Sequence, residues 1–117
     1  MSIRPDIEYY FEEGCFINEL SNGPDDPEVS IARARVESGN ITRWHYLLET
    51  TERYVIISGN GVVELAENYS VRVGPGDVVL IPPGTRQRIR NLGKDDLVFL
   101  AVCTPRFCPD NYVDCDT

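Results

Sequence analysis

Basic charge is scarce in this chain. Its 117 residues carry 11 Lys and Arg against 19 Asp and Glu, so the formal net charge is −8 at pH 7. Nucleic acids and anionic membranes attract clustered basic side chains, and we therefore expect neither as a partner. No apolar run approaches the roughly 20 residues of a membrane span, and the first residues lack the apolar stretch of a secretory signal. The sequence predicts a cytoplasmic protein.

Histidine and cysteine are also sparse, with one histidine and four cysteines. In the absence of an export signal we expect reduced thiols rather than a disulfide framework. Cys103, Cys108 and Cys115 are separated by four and then six residues, whereas structural zinc sites use a two-residue spacing. A zinc cluster in the tail is therefore not expected.

Convincing amphipathic helices are missing as well, and short strand patterns take their place. Residues 31–37 alternate small or apolar side chains with charged ones, which is typical of a half-buried strand. Residues 53–58 are largely β-branched, and Gly59-Asn60-Gly61 after them predicts a hairpin turn. Many short strands separated by Gly and Pro indicate a single all-β domain, either a sandwich or a barrel.

Two segments of this β pattern share a regular spacing of glycine, proline and polar residues. The first contains Gly39, five residues, His45, one residue, Leu47, four residues, Glu52, six residues and Gly59. The second contains Gly76, five residues, Pro82, one residue, Gly84, two residues, Gln87, three residues and Asn91. The two segments resemble the signature motifs of the cupin superfamily, whose members are small β-barrels that usually hold a metal.

The resemblance implies a jelly-roll barrel, also called a double-stranded β-helix, over residues 31–103. We expect residues 1–30 to form an amino-terminal arm with a loop. Residues 104–117 are expected to form a tail packed on the barrel or on a partner subunit. A homodimer is expected by the same resemblance, since outward apolar side chains such as Val55 and Ile57 need cover.

Strand alternation predicts which side chains of the two motifs meet. His45 shares a face with Arg43 and Leu47, while Glu52 shares a face with Tyr54. If the matching family positions point inward here too, then His45, Glu52 and Gln87 converge on a small, mostly apolar cavity. We expect Gln87, Tyr54 and Arg43 to bind a substrate there.

Two metal ligands of the family motif are replaced, because Leu47 and Gln87 stand where the motif has histidine. A set of three imidazoles and one carboxylate suits Fe, Mn, Ni, Zn or Cu, but leucine offers no donor atom and a neutral amide is a weak ligand. The remaining candidate ligands are His45, Glu52 and Gln87, with the Cys103 thiolate as a possible replacement. The sequence is compatible with a site that binds a divalent transition metal and with a site that binds no cofactor.

Three functions are compatible with this pattern. The first is an isomerase, lyase or cyclase acting on a small polar organic molecule, with His45 or Glu52 as general acid or base, with or without a metal. The second is a non-catalytic binding or sensor module with a vestigial metal site. The third is a structural or assembly role, in which the barrel dimerises through its sheets. A structural interpretation of the site itself is that His45 and Glu52 form only a buried, hydrogen-bonded pair.

Overall fold

The computed structural model describes residues 8–11 and 14–116, and the regular secondary structure of this part of the chain is almost entirely β-strand. A single turn of 3₁₀-helix covers Pro109–Asn111. The strands are β1 Tyr9–Phe11, β2 Cys15–Ser21, β3 Ser30–Val36, β4 His45–Leu47, β5 Thr51–Ser58, β6 Gly61–Leu65, β7 Tyr69–Val73, β8 Val78–Ile81, β9 Gln87–Asn91, β10 Leu97–Thr104 and β11 Tyr112–Asp114.

The strands form two antiparallel sheets. The six-stranded sheet has the order β1-β2-β3-β10-β5-β8, and the five-stranded sheet has the order β11-β4-β9-β6-β7. Consecutive strands such as β8 and β9 often belong to different sheets, so the connections cross between the layers in the manner of a jelly roll. The predicted all-β double-sheet fold is therefore confirmed.

The core lies between the inner faces of the two sheets. Alternation places Tyr54 and Ile56 of β5 inward, each 1% exposed, while Ile57 points outward and is 50% exposed. From the opposite sheet Val63 and Ile89 are fully buried against this face. Burial of this set of side chains is the main stabilising contribution to the fold.

The two glycines of the predicted hairpin turn sit where a side chain would collide with the neighbouring backbone. Gly59 has φ +93°, and a Cβ there would lie 2.7 Å from the carbonyl oxygen of Asp96. A Cβ on Gly61 would lie 2.6 Å from the carbonyl oxygen of Arg90. The predicted hairpin turn thus requires glycine for its conformation and for close packing of the adjoining loop.

The segments outside the motifs add strands to both sheets. Strands β1 and β2 extend the six-stranded sheet beyond β3, and β11 pairs with β4 at the edge of the five-stranded sheet. The described part of residues 8–13 contains the strand Tyr9–Phe11. The described residues include no helix that is long and apolar enough to cross a membrane.

Candidate functional site

A cavity of about 80 Å³ opens along the inner face of the six-stranded sheet. A water molecule needs roughly 10–15 Å³ of such space, so the cavity has room for a ligand of about six non-hydrogen atoms. The lining residues are Tyr9, Phe11, Ile17, Glu19, Asn22, Ser30, Ile31, Ala32, Ala34, Glu52, Tyr54, Phe99, Ala101, Cys103 and Phe107.

The polar part of the cavity wall is a row of side chains on adjacent strands. Glu52 of β5 lies directly opposite Cys103 of β10, which in turn lies opposite Ser30 of β3. The exposed fractions are 8% for Glu52, 3% for Cys103 and 4% for Ser30. Tyr54 follows two residues after Glu52 and therefore points to the same side. A carboxylate, a thiol and a hydroxyl are thus presented together in a buried, largely apolar environment.

Tyr54 also connects the two sheets. Its hydroxyl donates a hydrogen bond to Oε1 of Gln87, which lies on β9 of the five-stranded sheet and is 1% exposed. The Tyr54 ring packs on Phe99 with the ring centres 4.6 Å apart. The buried amide that the sequence suggested was kept for a ligand therefore has a protein partner, and it does not line the cavity.

His45 occupies a separate position on the inner face of β4. Its ring stacks on that of Tyr112, with centres 5.0 Å apart and an interplanar angle of 20°. The ring nitrogen Nδ1 lies 2.8 Å from the carbonyl oxygen of Arg43, which can only accept, so Nδ1 carries the proton. The Tyr112 ring also packs in a T-shaped arrangement with the ring of Phe11, a lining residue, and the two ring centres are 5.3 Å apart. His45 itself is not among the lining residues and adjoins the cavity through Tyr112.

Arg43 precedes β4 and lies on the surface. Its side chain is 45% exposed, and Nε donates to Oδ2 of Asp114 at 2.8 Å. A second donor, Nη2, bonds the carbonyl oxygen of Asp116 at 2.9 Å. The hydrogen bond from Arg43 lowers the pKa of the Asp114 carboxyl group. Arg43 is absent from the cavity lining, so its role toward a substrate stays a prediction.

The arrangement of donor atoms can be tested against a metal ion. Because Nδ1 is protonated, Nε2 of His45 carries the electron pair that could bind a metal ion. Leu47, two residues further on the same face of β4, is 3% exposed and offers no ligand atom. Oε1 of Gln87 already accepts the Tyr54 proton. Over residues 8–11 and 14–116, no three His, Cys, Asp or Glu side chains are grouped closely enough to hold a metal. The described residues therefore do not fit a tightly bound transition metal.

Several lining residues come from parts of the chain that carry no motif. Glu19 accepts hydrogen bonds from the hydroxyl of Tyr9 at 3.3 Å and from Nδ2 of Asn22 at 3.0 Å. Asn22 Nδ2 also donates to the carbonyl oxygen of Phe107 at 3.1 Å, which links the first loop to the tail. The only sequence signal for these lining residues is the period-two spacing of Ile17 and Glu19, which puts both side chains on the same face of β2.

The fold and cavity define a small jelly-roll protein with a partly polar pocket along its six-stranded sheet. Residues 32–103 match the family model described as Cupin domain, and the chain belongs to the cupin family. This confirms the family resemblance of the two motifs.

Similar proteins are found by sequence and by structure. An uncharacterized protein of Methanocaldococcus jannaschii is 33% identical over 101 residues, which cover 85% of this chain and 80% of that protein. Pac13 from Streptomyces, described as a nucleoside dehydratase, superimposes with a TM-score of 0.80 at 19% identity, covering 99% of this chain and 91% of Pac13. KdgF from Halomonas gives a TM-score of 0.75 at 20% identity, covering 86% of each chain. The two structural likenesses, at this identity, show the fold alone.

Proposed function

We propose that this protein binds a small polar organic molecule in the cavity and carries out an acid–base reaction on it, of the isomerase, lyase or cyclase type. The observation that supports the proposal is the pairing of Glu52 and Tyr54 on one face of β5, both in the cavity wall. A mostly apolar pocket with a few convergent polar groups is the usual form of a small-molecule site.

Glu52 is the group best placed for proton transfer. A carboxylate can take a proton from a bound molecule or return one, and its side chain lines the space that such a molecule would occupy. Burying a carboxylate at 8% exposure costs free energy that a purely structural position could avoid with an apolar residue. This cost favours a role in binding or chemistry.

Tyr54 acts as the positioning residue in this proposal. The hydrogen bond that the Tyr54 hydroxyl donates to Oε1 of Gln87 fixes the orientation of the ring in the cavity wall. His45 contacts the cavity wall indirectly, because its ring stacks on Tyr112 and Tyr112 packs against the lining residue Phe11. No step of the proposed reaction passes through a metal. The existence of a dehydratase on a similar fold, Pac13, is compatible with lyase chemistry but is an analogy at the level of fold.

A cavity-filling substitution tests the proposal. Ala101 lines the cavity, whereas Val102 beside it points to the other face of β10, so A101L fills the space and V102L is the matched control. Small polar organic molecules are screened by NMR of ¹³C-labelled alanine methyl groups. We expect hits to shift the signals of the lining residues Ala32 and Ala34 in the wild type and in V102L, and to lose affinity at least tenfold in A101L.

The contrary result would be equally clear. If molecules bind the wild type and A101L with equal affinity, the cavity is not the binding site. A non-catalytic binding module is the second candidate, favoured by the hydrogen bond that already occupies Gln87. Once a ligand is found, E52Q separates the two: an enzyme loses turnover of that ligand, whereas for a binding module the ligand is recovered unchanged even from the wild type.

A further inference from the structure

The lining of the cavity has an unusual balance of charge. Two of the lining residues, Glu19 and Glu52, are carboxylates, and none of the lining residues is Lys, Arg or His. The whole chain has a net charge of −8, which adds to the negative potential. A cavity of this kind repels carboxylate and phosphate ligands.

Hydrogen-bond directions point the same way, since several polar groups of the described wall are acceptors. Nδ2 of Asn22 is used in donating to Glu19 and to the carbonyl oxygen of Phe107. Its Oδ1 is buried and has no hydrogen-bond partner among the residues that the structure describes. The hydroxyl proton of Tyr54 is likewise used by Gln87. A ligand that contacts Oδ1 of Asn22 or the two carboxylates must donate hydrogen bonds to them.

Aromatic rings complete the lining. Phe11, Tyr54, Phe99, Tyr9 and Phe107 all contribute to the wall. The faces of such rings attract cations, and rings combined with carboxylates are a known way to bind organic ammonium groups. The negative charge, the acceptors and the rings are three separate properties of one wall.

From these properties we infer that the ligand of the cavity is a small organic amine in its ammonium form, of about six non-hydrogen atoms or fewer. This inference rests on the proposed function, because it names the class of molecule that the same cavity takes. Glu19, at the exposed end and fixed by Tyr9 and Asn22, and Glu52, in the buried part of the wall, are both counter-ions to the ammonium group. Glu52 is also the group for proton transfer.

Three branched probes of similar size and different charge test the inference. Isobutylamine is cationic at pH 7, isobutanol is neutral, and isobutyrate is anionic. Each is titrated into the full-length protein, and binding is followed by the ¹³C methyl signals of Ala32, Ala34 and Ala101, with exposed Ala66 as the reference outside the cavity. We expect isobutylamine to bind at least tenfold more tightly than isobutanol, and isobutyrate not to bind.

Charge-neutralising variants show whether the preference comes from the two carboxylates. E19Q is expected to weaken isobutylamine binding about threefold to tenfold, as for a partly exposed ion pair, and to leave isobutanol binding unchanged. E52Q is expected to weaken isobutylamine binding tenfold or more, because its carboxylate is buried. E67Q removes an exposed carboxylate outside the cavity and serves as the control. E19Q also keeps the test valid if E52Q does not fold.

The outcomes separate the inference from the proposed function. Equal or tighter binding of isobutanol or isobutyrate at the cavity alanines would overturn the amine assignment while leaving a small-molecule site in place. An amine preference that survives in both E19Q and E52Q would also overturn it. If none of the three probes shifts the cavity alanines at millimolar concentration, both the amine assignment and the proposed function fail.

Discussion

The hydroxyl of Tyr54 donates a hydrogen bond to Oε1 of Gln87, and this hydrogen bond links the buried inner faces of the two sheets. Tyr54 belongs to the cavity wall and Gln87 does not. The pair therefore fixes the wall of the proposed site from behind. It also satisfies an amide that would be costly to bury alone.

Loss of this hydroxyl should destabilise the protein. Y54F keeps the ring on Phe99 but removes the donor to Gln87, and we expect the free energy of unfolding to fall by about 1–3 kcal/mol. In the background Q87M the same substitution should cost less than about 1 kcal/mol, because the acceptor is already gone. Chemical denaturation of the four proteins measures both effects. A Y54F variant as stable as the wild type would show that the hydrogen bond contributes nothing.

The barrel itself could be predicted from the sequence, because its signals are local. The alternation of Glu52, Tyr54 and Ile56 places all three inward, and all three are buried in the structure. The glycine and proline spacing of the motifs marks turns whose backbone conformation is set mainly by those residues. Such features need no knowledge of distant parts of the chain.

The composition of the site could not be predicted to the same extent, since it depends on long-range pairing. Arg43 pairs with Asp114, which is 71 residues away on a strand that carried no recognisable pattern. Glu19 and Asn22 reach the cavity because β2 extends the sheet beyond β3, a neighbour relationship that alternation does not reveal. The position of Tyr112 over His45 has the same cause.

His45 is expected to contribute to stability. H45A removes the stacking on Tyr112 and the donor to the carbonyl oxygen of Arg43, and we expect a loss of about 1–3 kcal/mol. The control Y112F keeps the stacked ring and should stay within about 1 kcal/mol of the wild type. An H45A protein of unchanged stability that no longer binds cavity ligands would instead show that His45 was kept for chemistry.

Metal binding can be measured and also restored. Because the described donor set does not fit a tight metal site, we expect elemental analysis of the wild type to find much less than one transition-metal ion per chain. L47H/Q87H supplies the two imidazoles that the family motif contains, and it should bind close to one divalent ion per chain, with L47H alone intermediate. Near-stoichiometric metal in the wild type would contradict this account of the site.

The anchoring of β1 should depend on pH. The Glu8 carboxylate, just before β1, accepts a hydrogen bond from Arg35 at 2.8 Å. This bond is the main cause that lowers the pKa of Glu8 below its ordinary value of 4.5. The ionised carboxylate therefore stabilises the folded state, and this stabilisation is complete at pH values above the pKa that Glu8 has in the unfolded chain. It is lost as the pH falls through the lower pKa that Glu8 has in the folded protein. We expect the free energy of unfolding of the wild type to fall more steeply below pH 4.5 than that of E8Q, and parallel curves for the two proteins would contradict the assignment.

Dimerisation remains a prediction, and the outer face of the six-stranded sheet is where we expect the two copies to contact each other. Ile57, Val78 and Leu80 are between 50% and 61% exposed, and Val78 lies opposite Val55. A patch of this kind favours contact with a second copy. We expect the elution volume of a dimer in gel filtration at micromolar concentration, and a shift toward the monomer in L80E. A wild-type protein that elutes as a monomer would refute the prediction.

The most direct test of the central claim is a crystal structure of the protein grown with small polar organic probes, including isobutylamine and isobutanol. The account predicts electron density for a probe inside the cavity, within hydrogen-bonding or van der Waals distance of Glu52 and Tyr54. A cavity that contains only ordered water, with the probes bound elsewhere on the surface, would contradict it.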